Sequence, residues 1–408
     1  MEIRRAAFLP AAAASLVLGF NIPKLIDDGI IDKEGTPKQN QRFQFAPAMP
    51  IMSTSDFVWT RFQSVRMRKL IFDLMVQNNK AVKSADWLIC NSTYDLEPGA
   101  FTLAPEIVPI GPLLASTRIE NSAGHFWTED SDCLKWLDQQ PPYSVIYVAF
   151  GSFTVFNKPQ FQELALALEL TNRPFLWVIR PDFTNRVTDA FPEGFLDRVS
   201  TRGKLIGWAL QQKVLNHPST ACFLSHCGWN STIESVSNGV PILCWPYFAD
   251  QFINQSYICD IWKVGLQFEL DTSETKTREE IKNKIDQLLG DNTYKERALH
   301  LKKLMMSSEN QKVESGSRRA DLVRQIIYVC AKSSACRRST VAQIRRTSVV
   351  SQMICDRAKS GAHRRSRRSG APPDDMHSCS SGALPDDMRE HRSVPRSTRV
   401  QIQCWICA

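Results

Sequence analysis

The first 124 residues of this 408-residue chain contain no histidine; the seven histidines are 125, 217, 226, 300, 363, 377 and 391. An imidazole base therefore cannot come from that stretch. No apolar run approaches the roughly 20 residues of a membrane helix, so no span is expected. Cys404-Trp405-Ile406-Cys407 is a Cys-x-x-Cys with no second pair beside it, which leaves a zinc finger or ribbon without support. Six of the twelve cysteines lie in the body (90, 133, 222, 227, 244, 259), mostly in apolar runs where a reduced thiol acts as a small hydrophobe. That pattern suits a reducing, cytoplasmic setting without a disulfide framework. The net charge of +8 does not mark a nucleic-acid binder. Residues 331–408 carry 15 Lys+Arg against 6 Asp+Glu, which leaves 35 against 36 for residues 1–330.

That basic tail lacks helical or alternating periodicity and is rich in Ser and Arg. Ser369-Gly370-Ala371-Pro372-Pro373-Asp374-Asp375-Met376 recurs in similar form as Ser381-Gly382-Ala383-Leu384-Pro385-Asp386-Asp387-Met388. Two copies make no solenoid, and aromatics for base stacking are absent. The tail is expected to be disordered, with a basic arm for RNA or an anionic membrane as the competing reading. At the other end, Met1-Glu2-Ile3-Arg4-Arg5 and the apolar run Ala6–Phe20 imitate a signal peptide, but Pro10 interrupts the run. A strand over Ala6–Pro10 followed by a helix from Ala11 is the preferred reading.

From Ser144 onward, strand and helix signals alternate. Strands are expected at Val145–Phe150, Phe175–Ile179, Lys204–Trp208, Ala221–Ser225, Pro241–Trp245 and Leu266–Leu270. Phe161, Leu164, Ala165 and Leu168 form the apolar stripe of a helix after Pro159. Thr277-Arg278-Glu279-Glu280 is a capping box opening a helix that Gly290 should close. Such alternation implies a parallel, doubly wound α/β sheet. Residues 1–110 offer fewer strands: Ala6–Leu9, Phe43–Phe45 and Trp87–Cys90.

The densest chemistry lies in one segment, Trp208 to Gln251: WALQQKVLNHPSTACFLSHCGWNSTIESVSNGVPILCWPYFADQ. Ala221–Ser225 is a buried strand, His226-Cys227-Gly228-Trp229 turns the chain, and the following segment can open a helix with Asn230 or Ser231 near its cap. A helix start offers unpaired N–H groups to a phosphate. The next strand delivers Asp250 and Gln251 to a neighbouring strand-end loop, and open α/β sheets bind ligands at those ends. Singly, Trp208 and Trp229 are explained as well by core packing, and His226 by a packed histidine. Cys222, Cys227 and Cys244 suggest a metal, but their spacing does not support one.

Taken together at this spacing, the segment closely resembles the signature box of plant family-1 UDP-dependent glycosyltransferases. Ser144–Ser152, Phe191-Pro192-Glu193-Gly194-Phe195, Asn91-Ser92 with Leu96-Glu97, and Ile110-Gly111-Pro112 are also family-like. The resemblance implies two Rossmann-like domains of the GT-B type: an incomplete acceptor-side domain over residues 1–114, a complete UDP-sugar-binding domain over 115–330, then the tail over 331–408. It implies that Trp208 stacks on the uracil, while Ala209 and Gln211 hold its edge or the ribose. Glu234 accepts from the ribose hydroxyls. His226, Gly228, Asn230 and Ser231 grip the diphosphate, with Ser152 and Thr154 on the same side. Trp229 lies near the sugar, and Asp250 and Gln251 bond its hydroxyls, Gln251 leaning toward glucose. Leu210 departs from the family's usual proline.

The implied reaction is inverting hexosyl transfer from UDP-glucose to a small phenolic, flavonoid or terpenoid acceptor by a cytoplasmic monomer, without metal, cofactor or nucleic acid. The family's catalytic His and Asp precede the segment matching Arg5–Pro10 and are absent from this chain. A UDP-sugar-binding remnant without transferase activity is the alternative.

Overall fold

In the computed structural model, the structure describes residues 4–62, 64–114, 130, 132–152, 154–180, 190–269, 275–314 and 400–404. Residues 4–109 give β1 (Arg4–Leu9), α1 (Ala13–Phe20), α2 (Ile22–Asp27), the short strands β2 (Arg42–Phe43) and β3 (Met52–Ser53), α3 (Val65–Val82), β4 (Trp87–Cys90), α4 (Pro98–Leu103) and β5 (Ile107–Pro109). After α5 (Asp132–Asp138) come β6 (Val145–Ala149), α6 (Lys158–Leu170), β7 (Phe175–Val178), α7 (Phe195–Val199), β8 (Gly203–Ile206), α8 (Gln211–Leu215), β9 (Thr220–Ser225) and α9 (Trp229–Asn238). The series closes with β10 (Ile242–Cys244), α10 (Gln251–Ser256), β11 (Gly265–Gln267), α11 (Arg278–Gly290), α12 (Asn292–Glu314) and β12 (Val400–Cys404).

The larger sheet has the order β11-β10-β9-β6-β7-β8, parallel throughout. Numbered from β6, this is the 3-2-1-4-5-6 order of a dinucleotide-type fold, with its switch point between β6 and β9. Every residue of β6 and β9 is buried, as expected for a parallel sheet covered on both faces. One face carries Phe161, Leu164, Leu168 and Trp177, the other Tyr147, Val214, Leu215 and Phe223. Thr277 caps α11 as expected, with its Oγ1 accepting from the Glu280 N–H at 3.2 Å. Gly290 is the last helical residue rather than a left-handed terminator; Asp291, in extended backbone, ends the helix.

The smaller sheet runs β12-β1-β4-β5, also parallel. The apolar stretch that resembled a leader forms β1 and α1, with Ala12, Ala13, Ala14 and Leu18 fully buried. Glu97, fully buried, caps α1: its carboxylate accepts from the Ala13 and Ala14 N–H groups at 2.9 and 3.0 Å and from Ser92 Oγ at 2.6 Å. Burial still raises its pKa, against the lowering effect of those three bonds. The expected Phe43–Phe45 strand is the shorter β2, antiparallel to β3. Of the tail, the repeated segment lies outside the described residues. Val400–Cys404 is described, and it pairs with Arg4–Phe8, a strand that the sequence reading did not contain.

The two sheets meet over a shared hydrophobic cluster that includes Leu18 and Phe72 on one side and Trp229, Ile233 and Met305 on the other. Two indoles fasten them. Trp229 Nε1 donates to the Asn91 carbonyl at 2.7 Å, and Trp262 Nε1 to the Leu96 carbonyl at 2.9 Å.

Candidate functional site

Because the larger sheet is parallel, the carboxyl ends of its strands share one edge. β6 leads into Gly151, Ser152 and Thr154, β7 into Arg180, β8 into Trp208 and β9 into His226. The loop after β10 ends at Asp250, and Gln251 opens α10.

The tightest polar group on this edge centres on Glu234 in α9. Its Oε2 accepts from Gln211 Nε2 at 2.7 Å and its Oε1 from Gln212 Nε2 at 3.1 Å. Gln211 also donates to Ser231 Oγ at 2.9 Å and accepts from the Tyr147 hydroxyl at 3.0 Å. Burial raises the Glu234 pKa, and the two amide bonds counter it. A carboxylate held this way offers its remaining lone pairs to hydroxyl donors. Gln211, Ser231 and Glu234 are thus brought together. Gln212 and Tyr147 were not singled out. Gln212 follows Gln211 in sequence, but only the fold shows that both amides reach one carboxylate.

His226 is wedged between two glycines at the switch point. A Cβ at Gly151 or at Gly228 would lie 2.5 Å from His226 Nε2, and Gly151 has φ +65°. Backbone thus approaches the ring as no other residue would allow. The residue retains some exposed surface, yet Nδ1 is buried without a hydrogen bond. Desolvation, with a smaller contribution from the Arg180 charge, lowers its pKa to about 4. In this structure His226 is neutral at pH 7.

Helix α9 begins at Trp229, with Gly228 as its cap and no capping side chain. Asn230 and Ser231 lie near that cap, both in the first turn, Asn230 exposed and Ser231 buried. Trp229 opens α9 beside this edge. Its ring is buried and its indole N–H is committed to Asn91, so its side chain joins the two sheets. Ser152 is exposed, whereas Thr154 is buried with Oγ1 lacking a partner. Trp208 is half-buried and Ala209 buried, ahead of Leu210, which caps α8 without needing proline.

Burial raises the Asp250 pKa, and its Oδ2 accepts from Asn254 at 3.1 Å. Gln251 turns its amide oxygen onto the Tyr247 and Phe248 N–H groups at 2.7 and 3.0 Å, which fixes the side chain. Asn254, fully buried, ties α10 to the turn after β9 through the Cys227 carbonyl at 2.9 Å.

Other features lie apart from this edge. His217 Nε2 meets Asp138 Oδ1 at 3.1 Å, but His217 precedes β9 while His226 follows it. That His–Asp pair therefore sits at the opposite end of the sheet. A cleft of about 510 Å³ opens beside the edge strand β11, lined by residues that include Lys263, Lys284 and Arg297; it contains none of the box residues. Among the described residues, no group of three His, Cys, Asp or Glu side chains could hold a metal ion. Cys244 and Cys259 approach to 3.8 Å between sulfurs, and burial pushes the Cys244 thiol up. No described helix is long and apolar enough to cross a membrane.

The profile of the UDP-glucoronosyl and UDP-glucosyl transferase family matches residues 58–313. UDP-glycosyltransferase 83A1 of Arabidopsis thaliana is 52% identical over 310 residues, which cover 75% of this chain and 64% of that protein. Linamarin synthase 1 of Manihot esculenta is 34% identical, covering 67% and 57% respectively. The chain thus spans less than two thirds of the length of these two relatives. A UDP-glucosyltransferase from Polygonum tinctorium, capable of glucosylating indoxyl, superposes with TM-score 0.66 at 31% identity, covering 78% of this chain and 71% of that one. Phytolacca americana UGT2, solved with UDP-2fluoro-glucose and pterostilbene, gives TM-score 0.64 at 30% identity, covering 77% and 70%. These neighbours share the GT-B arrangement of two parallel α/β sheets, and together with the profile match they establish that the chain belongs to the UDP-glucoronosyl and UDP-glucosyl transferase family.

Proposed function

We propose that the chain binds a UDP-sugar at the strand-end edge of its larger sheet and acts in transfer of a hexose, glucose by the lean of Gln251, to a hydroxyl of a small lipophilic acceptor. The observation that carries this reading is the Glu234 carboxylate, bridged by Gln211 and Gln212 on the same edge as the glycine-flanked His226. In this reading Glu234 receives the ribose hydroxyls and Trp208 stacks on the uracil beside Ala209 and Gln211. The diphosphate lies over Gly228 and the first turn of α9, near Asn230, Ser231, Ser152, Thr154 and His226. Gln251, with its oxygen already bonded, presents its NH2 group to the sugar, and Asp250 accepts from a sugar hydroxyl.

In the family's reaction the acceptor hydroxyl gives its proton to a histidine base while its oxygen attacks the anomeric carbon in line; the bond to UDP breaks, UDP leaves with the electron pair, and the configuration inverts. Main-chain N–H groups at the helix start stabilise the departing diphosphate, so the reading needs no metal. In this reading residues 115–330 make the donor-side domain and residues 1–114 contribute to the acceptor side, with the tail over 331–408 returning Val400–Cys404 to pair with β1. A cytoplasmic monomer taking a phenolic, flavonoid or terpenoid acceptor fits this reading. Calorimetric titration with UDP and UDP-glucose tests it; no heat with either ligand sinks it.

Binding without transfer is the second reading. It rests on His226, which is neutral and lies on the diphosphate side, and on the lack of any histidine before position 125. A transfer assay on the chain separates the two.

A further inference from the structure

One side chain in α10 reaches two parts of the strand-end edge at once. Asn254, 0% exposed, donates through Nδ2 to the Cys227 carbonyl at 2.9 Å and to Asp250 Oδ2 at 3.1 Å. Both partners are acceptors, so the NH2 group faces them and both of its hydrogens are used. Asn254 Oδ1 is buried without a hydrogen-bond partner. The amide thus carries a desolvation cost that its two bonds must offset. Cys227, the first partner, stands between His226 and Gly228 with φ +64°, in the left-handed region that a residue with a Cβ enters reluctantly. Its N–H donates to Ser225 Oγ at 3.1 Å, so side chains hold both polar main-chain groups of this turn. The turn hands over to Gly228, the cap of α9. Asp250, the second partner, is the cap residue of α10, yet its side chain makes no capping bond. Its carboxylate bonds instead one turn further on, at the i, i+4 spacing. Burial raises its pKa, and the Asn254 bond opposes that rise.

Resting on the donor-site reading above, we propose that Asn254 is a positioning residue that ties the sugar subsite to the diphosphate turn, one amide hydrogen aiming the Asp250 carboxylate and the other fixing the turn at Cys227. The ligand class is a nucleoside diphosphate hexose. Both hydrogens leave one planar nitrogen, so the carboxylate and the turn cannot shift independently of each other. Oδ2 of Asp250 is directed by Asn254, and a carboxylate has acceptor capacity to spare for a sugar hydroxyl. In the donor-site reading the uracil and ribose are held at Trp208, Gln211 and Glu234, none of which Asn254 bonds. Its contribution therefore falls on the sugar first, on the diphosphate second and on the nucleoside least. A residue that merely braced the fold would affect every ligand alike.

The test titrates uridine, UDP and UDP-glucose by calorimetry into the full chain, Asn254→Ala, Asp250→Ala and the double variant. Asn254→Ala is expected to weaken UDP-glucose by about tenfold and UDP by about threefold, while uridine stays within about twofold. Asp250→Ala is expected to weaken UDP-glucose relative to UDP. Adding Asn254→Ala to it should deepen that relative loss by less than about twofold, because residues acting through one contact are not additive. Should Asn254→Ala fail to fold, Asn254→Ser, which keeps one donor, takes its place in the same cycle. Equal losses for all three ligands, fully additive losses in the double variant, or a chain that folds with neither substitution would overturn the assignment and leave Asn254 a brace of the fold. Failure of the unaltered chain to bind UDP, or an Asp250→Ala variant with no relative loss of UDP-glucose, would instead overturn the donor-site reading and the Asn254 role with it.

Discussion

Gln211 Nε2 lies 2.7 Å from Glu234 Oε2, so the carboxylate is aimed and partly satisfied before any ligand arrives. A side chain held in place spends less conformational freedom on binding than one that must be ordered. Glu234→Ala is expected to weaken UDP binding by about 1.5–3 kcal/mol, the range for hydrogen bonds to a charged group. Titration calorimetry reads the change directly. Unchanged affinity would remove Glu234 from the site.

His226 links the site to pH. Its folded pKa of about 4 lies below the ordinary 6.5, so between those values the unfolded chain binds the extra proton. Stability therefore rises with pH from 4 to 6.5, by up to about 3 kcal/mol from this group if the shift is fully expressed. His226→Asn should flatten the thermal midpoint between pH 7 and pH 5. A bound diphosphate would raise the pKa of the imidazole, so UDP binding near pH 5 should take up protons. Titrations in buffers of different ionisation enthalpy measure that uptake, and its absence would place the diphosphate away from His226.

Gly151 cannot be replaced cheaply. Its φ of +65° costs a residue with a Cβ about 1–2 kcal/mol, and the added carbon would meet His226 Nε2 at 2.5 Å. Gly151→Ala is expected to lower both the unfolding free energy and UDP affinity. A variant with unaltered UDP affinity would show that the His226 ring can shift without consequence.

The pairing of β12 with β1 changes what the tail should do. From sequence, residues 331–408 had no face to pack, and their loss should have been silent. With Val400–Cys404 against Arg4–Phe8, their removal uncovers a sheet edge. The truncated chain is expected to lose about 2–4 °C or more in midpoint, the shift for roughly 1 kcal/mol in a domain of 150–250 residues. It should also self-associate as concentration rises. An unchanged midpoint and a monomeric profile in light scattering would show that β12 adds nothing.

Activity is the boldest expectation. The chain should bind UDP-glucose yet form no glycoside above background with a phenolic panel, since the proposed reading puts His226 on the diphosphate side rather than beside the acceptor. UDP release and product chromatography decide it. Clear turnover that disappears in His226→Ala would make His226 the base.

The box was legible because strand-end loops gather their chemistry in a short stretch of sequence: Gln211, His226 and Glu234 are separated by one strand and two turns. The alternation after Ser144 gave the larger sheet for the same local reason, with edges off by one to three residues. Asn254 was invisible because one of its partners is the main-chain carbonyl of Cys227, and carbonyls carry no sequence signal. The Trp229 contact was illegible because its indole bonds a residue 138 positions away. The β1–β12 pairing was missed for a similar reason, since its partners lie nearly the whole chain apart.

The two indole bonds to Asn91 and Leu96 bear on how ligands would enter and leave. Swinging the sheets apart as rigid bodies would break both bonds and uncover part of the cluster around Trp229 and Leu18. Hinge opening is therefore the costly route, and motion confined to the loops at the rim is the cheap one. Traffic through the site would be set by those loops rather than by the spine that joins the halves.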